Sequence, residues 1–406
     1  MIGSLPHLRG ALRWAAILVL VAVTVGSGSA FFLWALDAVT RFRFAHPGLL
    51  FLLPIGGLFV GALYLIYGKS AGGGNHLILA EIREPSAGVP RRMAPLVLLG
   101  TLVTHLCGGS AGREGTAVQM GGSIAASFAK WFHLDAAAVR ILLMAGVAAG
   151  FGSVFGTPVA GAVFALEVVR VGRVKYAALV PCVFASFLAD WICRAWGAEH
   201  TQYNVQPLAA AALGNPWLVG KIILISAVFG GVALLFSTLS HRMSHVFKIY
   251  VPRTEFRPVV GGVCVIGLFF LCGNSDYLGL GVLAEHPGSI TLPSFFTGSP
   301  VPASAWAWKL VFTVITLGAG FKGGEVTPLF YIGAALGNAL AVFLGGPTDL
   351  FAALGFVAIF AGATKTPLAA IFLGMELFGT GQGIYIAIAC LVAWRCSGSK
   401  GIYTVR

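Results

Sequence analysis

Charge is what this chain has least of: 10% of its 406 residues are Asp, Glu, Lys or Arg, where a soluble domain carries roughly 25%. Acidic residues are the scarcer sign, 14 against 26 basic. Nowhere is a tract polar enough, over enough length, to build a separate soluble domain. Cysteine is also sparse, seven in all, with no CxxC pair, and most of the seven fall in apolar stretches (Cys107, Cys182, Cys264, Cys390). That placement reads as small hydrophobes and excludes a disulfide framework or a zinc site. No HExxH, GxSxG or paired-aspartate motif occurs, so the hydrolytic chemistries those motifs carry have no footing. The expectation is a protein that is not an enzyme, with no cofactor and no metal.

What the chain has in abundance is apolar sequence, 58% of its residues. Long runs lie near 14–38, 48–67, 176–196, 217–239 and 258–272, with shorter ones near 93–107, 136–151, 156–169, 328–344, 350–363 and 366–378. Many of the second group fall below the roughly 20 residues that a spanning helix requires. The fold class is therefore all-α, a polytopic membrane protein of many short and broken helices. Arg9 and Arg13 precede the first run, and Gly28-Ser29-Ala30 has the look of a cleavage site, but "FFLWAL" resumes at once. An uncleaved first helix is expected.

The net charge of +12 is carried by short connectors: Arg83, Arg91 and Arg92; Arg170, Arg173 and Lys175; Arg242, Lys248, Arg253 and Arg257. Basic loops between apolar segments mark the cytoplasmic side. A basic stripe for nucleic acid needs an extramembrane surface this chain lacks, so no nucleic-acid partner is expected.

The chain repeats itself. "GREGTAVQMGGSIA" from Gly112 superposes on "GGEVTPLFYIGAAL" from Gly323, pairing Glu114 with Glu325, Thr116 with Thr327 and Gly122 with Gly333. "GTPVAGAVFALEVV" from Gly156 superposes on "KTPLAAIFLGMELF" from Lys365, pairing Pro158 with Pro367 and Glu167 with Glu376. Both pairs share nearly one offset, so residues 1–200 and 201–406 read as two transmembrane repeats joined by the more polar stretch 197–216. Spacing leaves open whether they are parallel or inverted. Gly/Pro-interrupted segments at matching places in two halves are the mark of a transporter with discontinuous helices. Irregular backbone at membrane depth persists only where protein or a wet cavity satisfies it.

Three glycine clusters, "AGGGNHLI" from Ala71, "GGSAGREGT" from Gly108 and "GAGFKGGEVTP" from Gly318, each precede an apolar helix. Glycine permits a sharp turn and a close backbone approach, and the helix that follows presents unpaired N–H groups and a positive dipole end. Converging ends of this kind bind an anion without a full positive charge, which would hold it too tightly for release. The bland reading, close helix packing by small residues, suits glycines such as those in "VFGG" better. Glu114, in the first helical turn beside Arg113, is an anion placed in an anion site. It competes with the transported ion, and protonation frees it to swing away. The plain alternative is a static Arg113–Glu114 capping pair; intramembrane acids are functional by default.

"GREGT" followed by "GVAAGFGSVFGTPVAGAVFALE", and later "AGATKTPLAAIFLGMEL" and "GIYT", resembles the CLC family of anion channels and proton-coupled anion exchangers over nearly the whole chain. The resemblance implies inverted repeats, a homodimer with one anion path per subunit, and residence in a lipid bilayer, here the bacterial inner membrane. It places Glu114 at the gating glutamate and Tyr403 at the tyrosine that lines the pathway. No CBS regulatory pair is expected. Three departures from the common pattern lean one way: "GNHLI" at Gly74–Ile78 puts Asn75 where the chloride-coordinating serine stands, "GGEVTP" replaces GxFxP, and Val168 follows Glu167 where chloride/proton exchangers have a second acid. All three are similar to the fluoride/proton exchanger branch, although His76 departs even from that. The resulting expectation is a fluoride/proton antiporter, its partners fluoride and protons. Glu114 and Glu325 gate and carry the proton, and Gly74, Asn75, Arg113, Gly115, Val326, Thr327 and Tyr403 form the anion site.

Fluoride is small and strongly hydrated, so its dehydration must be offset by strong donors at short range. Asn75 supplies amide donors and Thr327 a hydroxyl, and Asn75 is read as a donor in preference to a plain helix cap. Glu325, beside Thr327, is expected to titrate, donating a hydrogen bond when protonated or carrying the proton. Lys322 either holds Glu325 and raises the local positive potential or snorkels at a membrane edge. Glu167 and Glu376 are read as structural acids at symmetric helix ends. Ring edges among the 30 phenylalanines are further candidate contacts to the anion. The rivals are a chloride/proton exchanger or chloride channel of the same fold, and an intramembrane enzyme pairing Glu114 with His105, the nearest histidine.

Overall fold

Helix ends follow the glycine and proline punctuation of the sequence. The computed structural model describes residues 5–68, 70–86, 88–169, 176–206, 215–297 and 301–403. Among them it is entirely helical, fifteen α-helices with short 3-10 turns. The basic connector Arg170, Arg173 and Lys175, and positions 207–214 of the stretch read as the joint between repeats, lie outside the described residues. Six of the helical segments are long and apolar enough to cross a bilayer, from 19 to 35 residues. Six further apolar helices are shorter, from 10 to 17 residues. The chain is a multi-pass membrane protein.

By contact the chain forms two units, which interleave along the sequence. Unit 1 comprises Met1–Trp34, Ser70–Pro95 and Ala117–His200; unit 2 comprises Ala35–Lys69, Leu96–Thr116 and Thr201–Arg406.

Unit 1 contains most of α1 (Leu5–Ala45), α3 (Gly74–Arg83), most of α5 (Glu114–Trp131), α6 (Ala136–Phe155), α7 (Pro158–Glu167) and α8 (Leu179–Ala195). Asp135 starts α6 by accepting from Ala138 N at 2.8 Å, a side-chain cap of the usual kind. Gly156 ends it in the left-handed region at φ 72°. Pro158 then stands at the start of α7, where a missing N–H costs nothing. Helices α5 and α6 cross backbone to backbone: a Cβ on Gly121 would lie 2.1 Å from the Gly146 carbonyl oxygen.

Unit 2 holds α2 (Leu53–Tyr67), most of α4 (Met93–Leu106), α9 (Pro216–Tyr250), α10 (Arg257–Cys272), α11 (Ala305–Gly318), α12 (Val326–Leu344), α13 (Thr348–Thr364), α14 (Pro367–Phe378) and α15 (Gly383–Cys396). Its α12–α13 pair crosses as α5–α6 does, with Gly333 and Gly355 so close that a Cβ on either would lie 2.1 Å from the other's carbonyl oxygen. Pro367 opens α14 as Pro158 opens α7. The position of Gly156, however, is taken by Lys365 at φ 64°. Its ammonium donates to Ser397 O (2.9 Å), Ser397 Oγ (2.7 Å) and Gly398 O (2.7 Å), tying the end of α13 to that of α15.

The structure extends the apolar runs. Helix α9 continues to Tyr250, well past 239, because "STLSHRMSHVFK" keeps helix-compatible residues after its hydropathy falls. Helices α11 and α15 were not among the apolar runs read from the sequence. In α11, Lys309 interrupts the apolar run, yet it is wholly buried, its Nζ donating to Tyr277 O (3.1 Å) and Gly279 O (2.8 Å).

Candidate functional site

Two glycine loops of unit 2 meet as a single antiparallel pair. Gly112 N donates to Gly324 O at 2.6 Å, and Gly324 N to Gly112 O at 2.8 Å. The approach tolerates no side chain: a Cβ on Gly324 would lie 2.6 Å from Gly115 N, and one on Gly112 would lie 2.8 Å from Glu114 Oε2. Glycine is thus required here for closeness, and the pairing sets the starts of α5 and α12 side by side.

At that junction lies the carboxylate of Glu114, wholly buried. Thr327 N donates to its Oε2 at 3.0 Å, the Thr327 hydroxyl donates to Oε1, and Arg113 N donates to Oε2 at 3.1 Å. The Arg113 guanidinium adds an ion pair, Nε to Oε1 at 3.7 Å. Thr327 is the second residue of α12, so its N–H is among those a helix leaves unpaired at its start. The carboxylate therefore fills the position an anion takes at a helix N-terminus. The first turn of α5 is braced as well: Thr116 Oγ1 and Thr101 Oγ1 lie 2.7 Å apart.

Four more of the residues read from the sequence belong to the same unit. Glu325 precedes α12 as its N-cap residue, half-buried and without a side-chain capping bond. Its carboxylate is within electrostatic reach of Glu114. Tyr403 is buried and within reach of both acids. Val326 and Gly115 are buried at the starts of α12 and α5. Unit 2 therefore gathers Arg113, Glu114, Gly115, Glu325, Val326, Thr327 and Tyr403.

Gly74 and Asn75 belong to unit 1. Gly74 opens α3 with φ 55°, a conformation that favours glycine. Gly73 holds the N-cap position, so Asn75 lies inside the first turn and does not cap it. Its Oδ1 is buried without a hydrogen-bond partner among the described residues. A half-turn of the amide would place its two N–H donors in the same position. His76 is engaged elsewhere. Glu167 is the last residue of α7, and Glu376 lies in the final turn of α14.

Residues missed in the sequence complete the surroundings. Tyr203, in the segment before α9, is within electrostatic reach of Arg113 and Glu114. Its ring meets Phe296 (5.2 Å between centroids), Phe356 (5.3 Å) and Phe378 (6.0 Å), and Phe330 stacks on Phe356 at 3.9 Å. "HTQYNVQP" carries no signal that would single this tyrosine out. His105 is occupied structurally: Nδ1 faces Thr101 O at 2.8 Å and Nε2 faces Ala111 O at 3.1 Å. Both ring nitrogens are thereby engaged with backbone, which argues against its use as an enzyme's base beside Glu114.

Residues 56–398 match the family described as "Voltage gated chloride channel". A protein of Pseudomonas syringae pv. tomato described as "Chloride/fluoride channel protein" is 46% identical over 401 residues, 98% of this chain and 86% of its own. The "H(+)/Cl(-) exchange transporter ClcA" of Yersinia pestis bv. Antiqua is 28% identical over 336 residues, 77% of this chain and 67% of its own. Among solved structures, "Crystal structure of a CLC-type fluoride/proton antiporter" superposes with a TM-score of 0.91 at 35% identity over 97% of each chain. The helices, their glycine-led starts and the match over most of the sequence agree: this chain belongs to the voltage gated chloride channel, or CLC, family.

Proposed function

We propose that this chain is a secondary transporter, not an enzyme, that exports fluoride in exchange for protons across the bacterial inner membrane. One observation carries the reading: the carboxylate of Glu114 rests on the Thr327 N–H and hydroxyl at the start of α12. Deprotonated, Glu114 closes the path by occupying the anion's place. A proton taken up on the carboxylate removes its charge, weakens its hold on these donors, and leaves the N-terminus of α12 to fluoride. As the anion leaves outward, the carboxyl gives up its proton toward the cytoplasm by way of Glu325, and the deprotonated side chain returns to the donors of α12, so fluoride and proton pass in opposite directions.

Fluoride is favoured over chloride by two motifs: "GNHLI", which supplies the amide of Asn75, and "GGEVTP", which puts Glu325 two residues before Thr327. The likeness to a fluoride/proton antiporter at 35% identity and to a chloride/fluoride channel protein at 46% supports the choice. Glu325 serves as the second proton-carrying acid, Tyr403 lines the route with its hydroxyl, and Arg113, Gly115 and Val326 complete the site. We take the assembly to be a homodimer in lipid. The apolar face of α8, with exposed Val183, Phe184, Phe187 and Trp191, suits a partner subunit or acyl chains.

Reconstitution in liposomes tests the reading. Fluoride efflux accompanied by proton uptake, well above chloride efflux, is the expected result. Equal chloride flux returns the chain to the chloride/proton exchangers of the same fold, and fluoride flux with no proton movement makes it a channel.

A further inference from the structure

Among the described residues, the buried and half-buried lysines of unit 2 are, with one exception, spent. Lys309 donates to two backbone carbonyls, Lys365 to three acceptors, and half-buried Lys221 to Leu344 O and Gly345 O. Buried cations are expected to be satisfied in this way. Lys322 is different. Its Nζ lies 4.0 Å from the centroid of the Tyr64 ring, and among the described residues no hydrogen bond or ion pair uses its three N–H donors. A ring face steadies an ammonium without consuming those donors.

The placement is built. A Cβ on Gly100 of α4 would lie 2.8 Å from Lys322 Cγ and 3.7 Å from the Tyr64 ring, so the lysine stem, the ring and α4 close on one another. Its neighbours are pinned too: Phe321 is buried, its ring against Gly57 of α2, and Gly324 is paired with Gly112. Lys322 stands three residues before Glu325 and five before Thr327, which keeps its Cα within roughly 18 Å of that of Thr327 even for extended chain.

Tyr64 lies in the last turn of α2. One turn earlier, Gly61 packs on the Glu255 backbone, where its Cβ would lie 2.5 Å from the carbonyl oxygen. Glu255 belongs to the short connection between α9 and α10, which holds Arg253 and is flanked by Lys248 and Arg257 in those helices, one of the basic stretches read as cytoplasmic. The ring that holds Lys322 thus belongs to the helix that packs on this connector, and Lys322 itself belongs to the loop that leads into α12.

We propose that Lys322, steadied on the Tyr64 ring, captures the small anion on the cytoplasmic side and passes it toward Thr327. The inference rests on the transport reading above and names the residue that sets cytoplasmic affinity. A cation held by a ring face, with its donors unspent, attracts the anion without locking it, as passage requires.

The experiment uses purified full-length protein in liposomes, with fluoride varied on the cytoplasmic face. Lys322→Met is expected to raise the half-saturating fluoride concentration about fivefold or more while the maximal rate and the proton-to-fluoride ratio change less than about twofold. Lys322→Arg should stay near wild type. Lys322→Cys, in a background with exposed Cys264 and Cys396 replaced by serine, should recover on attachment of an ethylammonium thiol reagent. A neutral reagent of similar size should not restore it. Wild-type half-saturation in Lys322→Met, or equal recovery with the neutral reagent, overturns the proposal. Failure of the wild-type protein to exchange fluoride for protons overturns the transport reading instead, so the two failures are distinct.

Discussion

Thr327 holds Glu114 across 213 positions of sequence, through its backbone N–H at 3.0 Å and through its hydroxyl. The two residues open helices in different sequence repeats, and the Gly112–Gly324 pairing fixes them at a distance that one carboxylate bridges. The acid of the first repeat thus uses the donors of the second.

Glu114→Gln preserves the size of the side chain and removes its charge and its titratable proton. Proton movement coupled to fluoride should fall by roughly 100-fold or more, the scale on which a positioned proton-transfer group acts. Fluoride flux itself should persist. Simultaneous fluoride and pH recordings on liposomes read the two separately, and proton coupling kept at the wild-type ratio would remove Glu114 from the proposed role.

Thr327→Val deletes the hydroxyl donor and leaves the backbone donor in place. A hydrogen bond to a charged group contributes about 1.5–3 kcal/mol, so thermal unfolding in detergent should show a loss of that order. Fluoride flux should drop, since the same hydroxyl is assigned to the anion. A variant stable and active as wild type would mean the hydroxyl serves neither.

Glu325→Gln isolates the second acid, which lies within reach of Glu114 and Tyr403 but makes no side-chain capping bond. If it shuttles the proton, the proton-to-fluoride ratio should fall while the protein remains folded. Intact flux with intact coupling would leave Glu325 a residue that only shapes the site.

Gly333→Ala asks what the close crossing of α12 and α13 is for. Its Cβ would meet the Gly355 carbonyl oxygen at 2.1 Å, and a backbone atom cannot yield as a side chain does. The helices must separate, at a cost of about 3 kcal/mol, and the displacement of α12 should also weaken the hold of Thr327 on Glu114. Lower melting temperature together with lower flux is the expected pair of results. Loss of neither would mean that the helices separate freely.

Lys365→Met and Lys365→Gly separate backbone strain from anchoring. Both lose three acceptors at the end of α15, so both should lower the melting temperature. Glycine also relieves the left-handed conformation at φ 64°, worth about 1–2 kcal/mol, and should be the milder change. Equal effects would show that the backbone there carries no strain.

Much of this was written in the chain. Scarcity of charge fixed the solvent, the glycine clusters located three helix starts, and the repeat paired Glu114 with Glu325 and Pro158 with Pro367. The same repeat pairs Thr116 with Thr327, yet the two play different parts. Thr116 bonds Thr101 within α4, whereas Thr327 bonds Glu114. A pattern of residue types records which positions correspond but not which partner each one meets. Tyr203 was hidden for that reason, being one tyrosine in an irregular segment whose importance comes from Phe296, Phe356 and Phe378 arriving from elsewhere. Helix α11 was missed because Lys309 breaks its hydropathy, and only the loop carbonyls of Tyr277 and Gly279 make that lysine admissible.

The sequence by itself determined that the chain lives in a membrane, repeats once, and carries an acid after a glycine turn in each half, because burial preference, periodicity and backbone freedom are properties of residues taken in order. Tertiary structure decided that the acid of one half rests on the helix start of the other, and that Lys322 lies over Tyr64 with its donors unspent among the described residues. Contacts of this kind depend on which loops meet, and that is set by the packing of whole helices.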